Sequence, residues 1–305
     1  MSSDKFRFPT ITAIVIANMV GTGVFTSLGF QLLDIQSGFV ILLLCALGGL
    51  IAVSGAMTYA ELGAAFPRSG GEYNFLSEIY HPAVGFVGGW SSVTIGFAGP
   101  SALAAMTFAA YATSFLEVEP SAWVERGLAV GLVAVLTIVH AGKRRNSGSL
   151  QIVFTALKVA VIVGFCLAAS LTIDVPQPVS FLPSTGDAAL LTSSGFAISL
   201  IYVSYAYTGW NAATYLSSEL ENPQRTLPGI LLTGTLVVTL LYIALNFVFL
   251  YAAPIAELRG QVEVGLIAAK AAFGEAGGRF AGIVLAMLLI STVSAMLMAG
   301  PRVLQ

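Results

Sequence analysis

Asn18-Met19-Val20-Gly21-Thr22-Gly23-Val24-Phe25 sits in the middle of an apolar run that extends from Phe8 to Leu33 without an Asp, Glu, Lys or Arg. Such a run reads as a membrane-spanning helix, because roughly 20 consecutive apolar residues cross about 30 Å of hydrocarbon. Its centre is where that helix should fail. Glycine lowers helix propensity by about 1 kcal/mol per residue relative to alanine, so two glycines flanking a β-branched hydroxyl residue make local unwinding cheap. A second weak point, Ser204-Tyr205-Ala206-Tyr207-Thr208-Gly209-Trp210-Asn211, lies in the apolar run from Ala188 to Ser218.

Unpaired main-chain groups in hydrocarbon cost several kcal/mol each, so unwound segments persist at that depth only where they line a cavity or meet a ligand. Paired interruptions in corresponding helices of two repeats are the sequence pointer to a transporter binding site. The chemistry suits a zwitterion: N–H groups at the start of a half-helix favour a carboxylate, and freed carbonyls favour an ammonium. Taken alone, Gly21-Thr22-Gly23 is equally readable as a small-residue notch that lets neighbouring helices approach. The second break favours the cavity reading.

Working outward, 57 % of the 305 residues are hydrophobic and 9 % are charged, too few charges to clothe a water-facing surface. About eight spans are expected: residues 9 to 32, 38 to 65, 83 to 115, 123 to 141, 147 to 171, 190 to 217, 228 to 252 and 278 to 304, numbered helices 1 to 8. No periodic charged face supports a soluble fold, and the first run is too long for a cleaved leader. The net charge of −2 and the lack of a basic stripe exclude a nucleic-acid partner. Short amphipathic helices are expected within 67 to 82, where Tyr73, Leu76 and Tyr80 share a face, and within 263 to 273.

With a cytoplasmic N-terminus the inner side collects Lys5, Arg7, Arg68, Lys143, Arg144, Arg145, Arg225 and Arg302. The outer side keeps Arg126, Arg259, Lys270 and Arg279, with acidic residues such as Glu117 and Glu119. The positive-inside rule therefore places the N-terminus in the cytoplasm, and the cell membrane is the expected location.

Four segments resemble the amino acid-polyamine-organocation permease superfamily, in particular its L-type amino acid transporter-like branch. They are Gly21-Thr22-Gly23-Val24-Phe25; Tyr59-Ala60-Glu61-Leu62 through Phe66-Pro67-Arg68-Ser69-Gly70-Gly71-Glu72-Tyr73; Ala206-Tyr207-Thr208-Gly209-Trp210-Asn211; and Glu219 through Pro228. The resemblance covers essentially the whole chain. It implies an all-α integral membrane protein with the inverted-repeat, leucine transporter-like fold, discontinuous at helices 1 and 6, in which helices 1, 2, 6 and 7 rock against helices 3, 4, 5 and 8. The chain would be one transmembrane domain, with a first repeat over about 9–171 and an incomplete second repeat over about 190–305. Members normally complete that second repeat, whereas this chain stops within helix 8, so a truncated chain is expected.

The resemblance further implies secondary active transport of amino acids by alternating access, as proton-coupled symport or as exchange against a counter-amino acid. By the same resemblance Gly21, Thr22 and Gly23 would receive the substrate carboxylate, and Tyr205, Ala206 and Thr208 its amino group, with Tyr205 as an aromatic gate. A non-transporting amino acid-binding sensor on the same fold is the alternative. Nothing calls for a cofactor, a metal or an enzymatic activity: no HExxH, GxSxG or carboxylate pair lies at membrane depth. A neutral substrate side chain is expected because no carboxylate or arginine lies close in sequence to either break.

Lys158 stands alone in charge between Ser147 and Ile173. A lysine at the bilayer centre costs roughly 2.5 to 3.5 kcal/mol and should face the bundle interior. Desolvation disfavours its charged form, which brings proton exchange within reach. In the resembled family a lysine here stands where sodium-coupled relatives hold a cation, so sodium coupling is disfavoured; Ser291, Thr292 and Ser294 keep that alternative open. His140 reads as a membrane-interface residue, and Glu61 as a loop-packing residue or an ion-pair partner of Arg68 or Arg225.

Overall fold

A computed structural model describes residues 5–113, 121–141 and 144–304. Glu117, Glu119 and Lys143, which entered the orientation argument, lie outside the described residues. Seven described helices are long and apolar enough to cross a membrane. They correspond to helices 1 to 5, 7 and 8; the expected helix 6 is cut too short by its break to count among them. Large apolar side chains such as Leu50, Val130, Ile138 and Leu240 are exposed on the outside of the bundle, where a water-soluble protein would carry charge.

Helix 1 is the centre of the molecule. All residues from Thr10 to Met19 are buried, and its first half (1a, Phe8–Met19) contacts helices 5, 7 and 8. The second half (1b) is Gly23–Gln31, so the chain unwinds at Val20, Gly21 and Thr22, as glycine content dictates. Helix 2 (Gly38–Ala65) is opened by the Ser37 hydroxyl, which accepts from the Val40 N–H at 3.3 Å. Helix 7 (Pro223–Ala252) lies along it.

Helix 6 begins later than expected. A short helix, Asp187–Leu191, precedes it, and Ser193 then caps helix 6a (Ser194–Ala206) by accepting from the Phe196 N–H at 3.2 Å. The chain turns at Tyr207 to Gly209 and resumes as the 3₁₀ helix 6b (Trp210–Glu219).

Helix 3 (Pro82–Thr113) departs from the expected regular span. Residues Ser92–Ala98 form a π-helical segment immediately before Gly99 and Pro100. Pro100 has no N–H for the Gly96 carbonyl and its ring crowds that oxygen, which widens the preceding turn. The two amphipathic segments are helical as expected. Glu72–Ile79 forms a helix in the inner loop. Val264–Ala299 is bent at Gly274, whose φ of 72° separates the amphipathic helix from helix 8.

Candidate binding site between the two breaks

The two interruptions meet. A Cβ on Gly23 would lie 3.0 Å from the Cα of Ala206, and a Cβ on Gly209 would lie 2.9 Å from the carbonyl carbon of Asn18. Gly209 also has φ +103°, a left-handed conformation that glycine adopts freely. Each break therefore needs a glycine where it touches the other. Tyr242 of helix 7 ties them together: its hydroxyl is 2.6 Å from the Met19 carbonyl oxygen and 2.9 Å from that of Ala206.

Beside this junction is a cavity of about 430 Å³. All six residues expected from the sequence to bind substrate line it: Gly21, Thr22, Gly23, Tyr205, Ala206 and Thr208. So do Ser91, Ser92, Ile95 and Gly96 at the π-segment of helix 3, and Trp210, Asn211 and Tyr215 of helix 6b. Tyr205 is 55 % exposed, so its ring does not seal the cavity in this conformation. A larger cavity of about 530 Å³ lies elsewhere, between helices 1b, 5, 7 and 8, and is lined by residues such as Phe165, Phe249 and Leu288. With an apolar lining it has nothing to orient a dipolar guest.

At the start of helix 1b the backbone N–H groups of Thr22, Gly23 and Val24 have no acceptor among the described residues. These are the orphan donors of a helix N-terminus, carrying the positive end of its dipole. Across the junction the carbonyls of helix 6a are more committed than the sequence suggested. Tyr205 O accepts from the Thr208 N–H at 3.1 Å and the Thr208 hydroxyl at 2.8 Å, and Ala206 O faces Tyr242.

Lys158 is 0 % exposed and spends its ammonium on helix 1 and helix 8. It donates to Val20 O at 2.7 Å, to Thr292 Oγ1 at 2.8 Å and to Ala17 O at 3.4 Å. The Thr292 hydroxyl in turn reaches Val20 O at 2.9 Å. Two turns toward the N-terminus of helix 5, Gln151 joins Ser294, which is 2.9 Å from His140 Nε2. His140 thus points into the bundle, and the expectation of a simple interface residue is corrected.

Three further features were not anticipated. Glu72, the first residue of the inner-loop helix, lines the cavity, accepting from Asn211 Nδ2 at 2.6 Å and from the Tyr215 hydroxyl. The ground for expecting a neutral substrate is therefore gone: a carboxylate stands at the helix 6 break, delivered from 139 residues away. Glu219 at the end of helix 6b holds Arg302 through Nε at 2.6 Å and Nη2 at 3.1 Å, with side chains 4 % and 17 % exposed. Arg68 instead pairs with Glu78 at 3.9 Å on the surface, and Glu61 is exposed, so the inner ion pair suggested for Glu61 with Arg68 is not formed. No local signal marks the Glu72 or Glu219 contacts, since both arise from packing across the chain.

A sequence profile of the amino acid permease family matches residues 6–305. The chain is 31 % identical over 265 residues to Asc-type amino acid transporter 1 of Mus musculus, covering 83 % of this chain and 48 % of that protein. It is 32 % identical over 240 residues to b(0,+)-type amino acid transporter 1 of Mus musculus, covering 77 % and 49 %. The serine/threonine exchanger SteT of Bacillus subtilis (strain 168) is 27 % identical over 302 residues, covering 95 % and 65 %. The chain spans about half the length of the mouse relatives it matches.

Proposed function

The chain belongs to the amino acid permease family as a multi-pass integral membrane protein, and on that premise we propose that it carries the substrate site of a secondary amino acid transporter working by alternating access. The observation that carries this reading is the row of unanswered N–H groups at Thr22, Gly23 and Val24, which opens on a cavity walled by the helix 6 break. Three converging donors at a helix N-terminus suit a carboxylate. The carbonyls of Tyr205, Ala206 and Thr208 supply the complementary surface for an ammonium. Main-chain groups would thus read the part common to all amino acids, and Tyr205 would close over it.

The ammonium of Lys158 is fully buried between Val20 O and the Thr292 hydroxyl, and by the family resemblance it stands where sodium-coupled relatives hold a cation. This favours proton-coupled symport or exchange over sodium coupling. The bacterial relative SteT, a serine/threonine exchanger, agrees with the second option. The two-repeat organisation, 9–171 and 190–305, belongs to the same proposal, as do a cytoplasmic N-terminus and residence in the cell membrane.

The test is uptake of labelled amino acids by the purified protein in proteoliposomes, with and without amino acid inside and with and without a pH gradient. Saturable uptake stimulated by internal amino acid or by an inward proton gradient is expected. No binding, uptake or exchange of any amino acid would refute the reading.

A further inference from the structure

The wall of the cavity on helix 6b holds a group that the main-chain recognition of a zwitterion does not use. The inner loop reaches it through two glycines, Gly70 and Gly71, with φ of 114° and 52°, and a Cβ on Gly71 would come within 2.5 Å of the Tyr215 ring. This tight left-handed turn sets Glu72 against helix 6b, where Asn211 and Tyr215 each donate one hydrogen bond to its carboxylate, with the Tyr59 hydroxyl of helix 2 as a third partner. Tyr215 is also 3.5 Å from Ser92 Oγ in the π-segment of helix 3. Among the described residues no Lys, Arg or His forms an ion pair with Glu72.

A carboxylate has about four lone-pair sites, and three donors leave about one of them unmet. Because Glu72 lines the cavity, the remainder is offered to whatever fills it. An apolar side chain placed there would desolvate an acceptor without replacing its hydrogen bonds, whereas a donor would satisfy it. A site built to hydrogen-bond a substrate group rejects the analogue lacking that group far more sharply than an apolar pocket rejects a size change.

We propose that Glu72, held by Asn211 and Tyr215, is a second recognition point of the cavity that selects amino acids whose side chain ends in a hydrogen-bond donor, a hydroxyl or an ammonium. The proposal rests on the transporter reading above and adds a substrate class to it. Main-chain groups at the breaks hold the zwitterion, and Glu72 reads the side chain.

The experiment is a set of dissociation constants for the purified protein, followed by the fluorescence of Trp210 at the cavity wall, for two near-isosteric pairs: threonine against valine, and lysine against norleucine. At least one donor-bearing member is expected to bind about tenfold more tightly than its partner, with the ratio falling to about one in Glu72→Leu. Glu72→Gln, which keeps an acceptor oxygen without charge, separates the sources: a hydroxyl preference survives it and an ammonium preference is lost. Should Glu72→Leu fail to fold, the wild-type ratios and Glu72→Gln carry the test. Equal binding within both pairs, or a preference that persists in Glu72→Leu, overturns the proposal while leaving amino acid transport intact. Failure to bind any of the four overturns the proposal, and the transporter reading falls with it only if every other amino acid also fails to bind.

Discussion

The ammonium of Lys158 lies 2.7 Å from the carbonyl oxygen of Val20, the first residue of the helix 1 break. A side chain from helix 5 thus satisfies main-chain polarity that unwinding has exposed in helix 1. It holds the N-terminal edge of the break while the N–H groups on its C-terminal edge stay open.

Replacing Lys158 with Met is expected to separate function from stability. The variant loses hydrogen bonds, yet it is also relieved of burying an ammonium without a carboxylate, so stability should change by no more than about 2 kcal/mol. Transport should fall by about tenfold or more, with its pH dependence flattened, because the break loses its anchor. Melting temperature and proteoliposome flux, measured on the same preparation across pH, check both halves. An unaltered pH profile would remove the proton role.

The two glycines of the first break should respond differently to alanine. At Gly23 the new methyl group would meet Ala206 Cα at 3.0 Å and Cβ at 3.3 Å, forcing the breaks apart. At Gly21 the nearest atom is Thr292 Cγ2 at 3.6 Å, an ordinary contact. Gly23→Ala should weaken amino acid binding by about tenfold or more, and Gly21→Ala by about threefold or less, as read by titration of each purified variant.

Glu219→Gln should be the most damaging charge change in the molecule. It leaves the half-buried Arg302 guanidinium beside a neutral group, and breaking such a pair costs up to about 3 kcal/mol. The exposed pair of Lys270 and Glu275, at 3.2 Å, provides the contrast. Its removal should cost less than about 1 kcal/mol. Thermal unfolding of both variants in one detergent gives the comparison directly.

Asp187, at the start of the short helix ahead of helix 6a, provides a pH signature outside the membrane-spanning helices. Hydrogen bonds from the Ser37 hydroxyl and the Ser184 N–H, the latter at 2.6 Å, hold its carboxyl below the ordinary value of 3.8. A carboxylate whose value is depressed by folding stabilises the fold above its unfolded value and loses that contribution as pH falls through the folded one. Asp187→Asn should therefore melt lower than wild type at neutral pH, with the gap closing below about pH 4. A gap that stays constant into acid would show that the carboxylate charge is irrelevant there.

The helix 1 break, the helix 6 break and the residues facing each other across them were legible in the sequence because their causes are local: glycines, a β-branched hydroxyl and apolar flanks. Lys158 was legible because a lone charge at that depth has few places to go. Helix 3 was read as regular although Pro100 and Gly96 already carried the reason for its π-segment. Glu72 and Glu219 could not be read as site or latch. Their roles depend on an inner loop folding back onto helix 6b and on the end of helix 8 meeting its terminus, contacts that no window of sequence contains. That is also why the expected neutral substrate was drawn from an incomplete inventory of charges.

The hydroxyl of Tyr242 faces two carbonyl oxygens with one proton to give. At any instant either Met19 or Ala206 is served and the other waits. An incoming cationic head that claimed Ala206 would find the proton free to remain on Met19, so docking would forfeit none of the protein's own bonds. The tyrosine can thus serve either break in turn, with no second donor required.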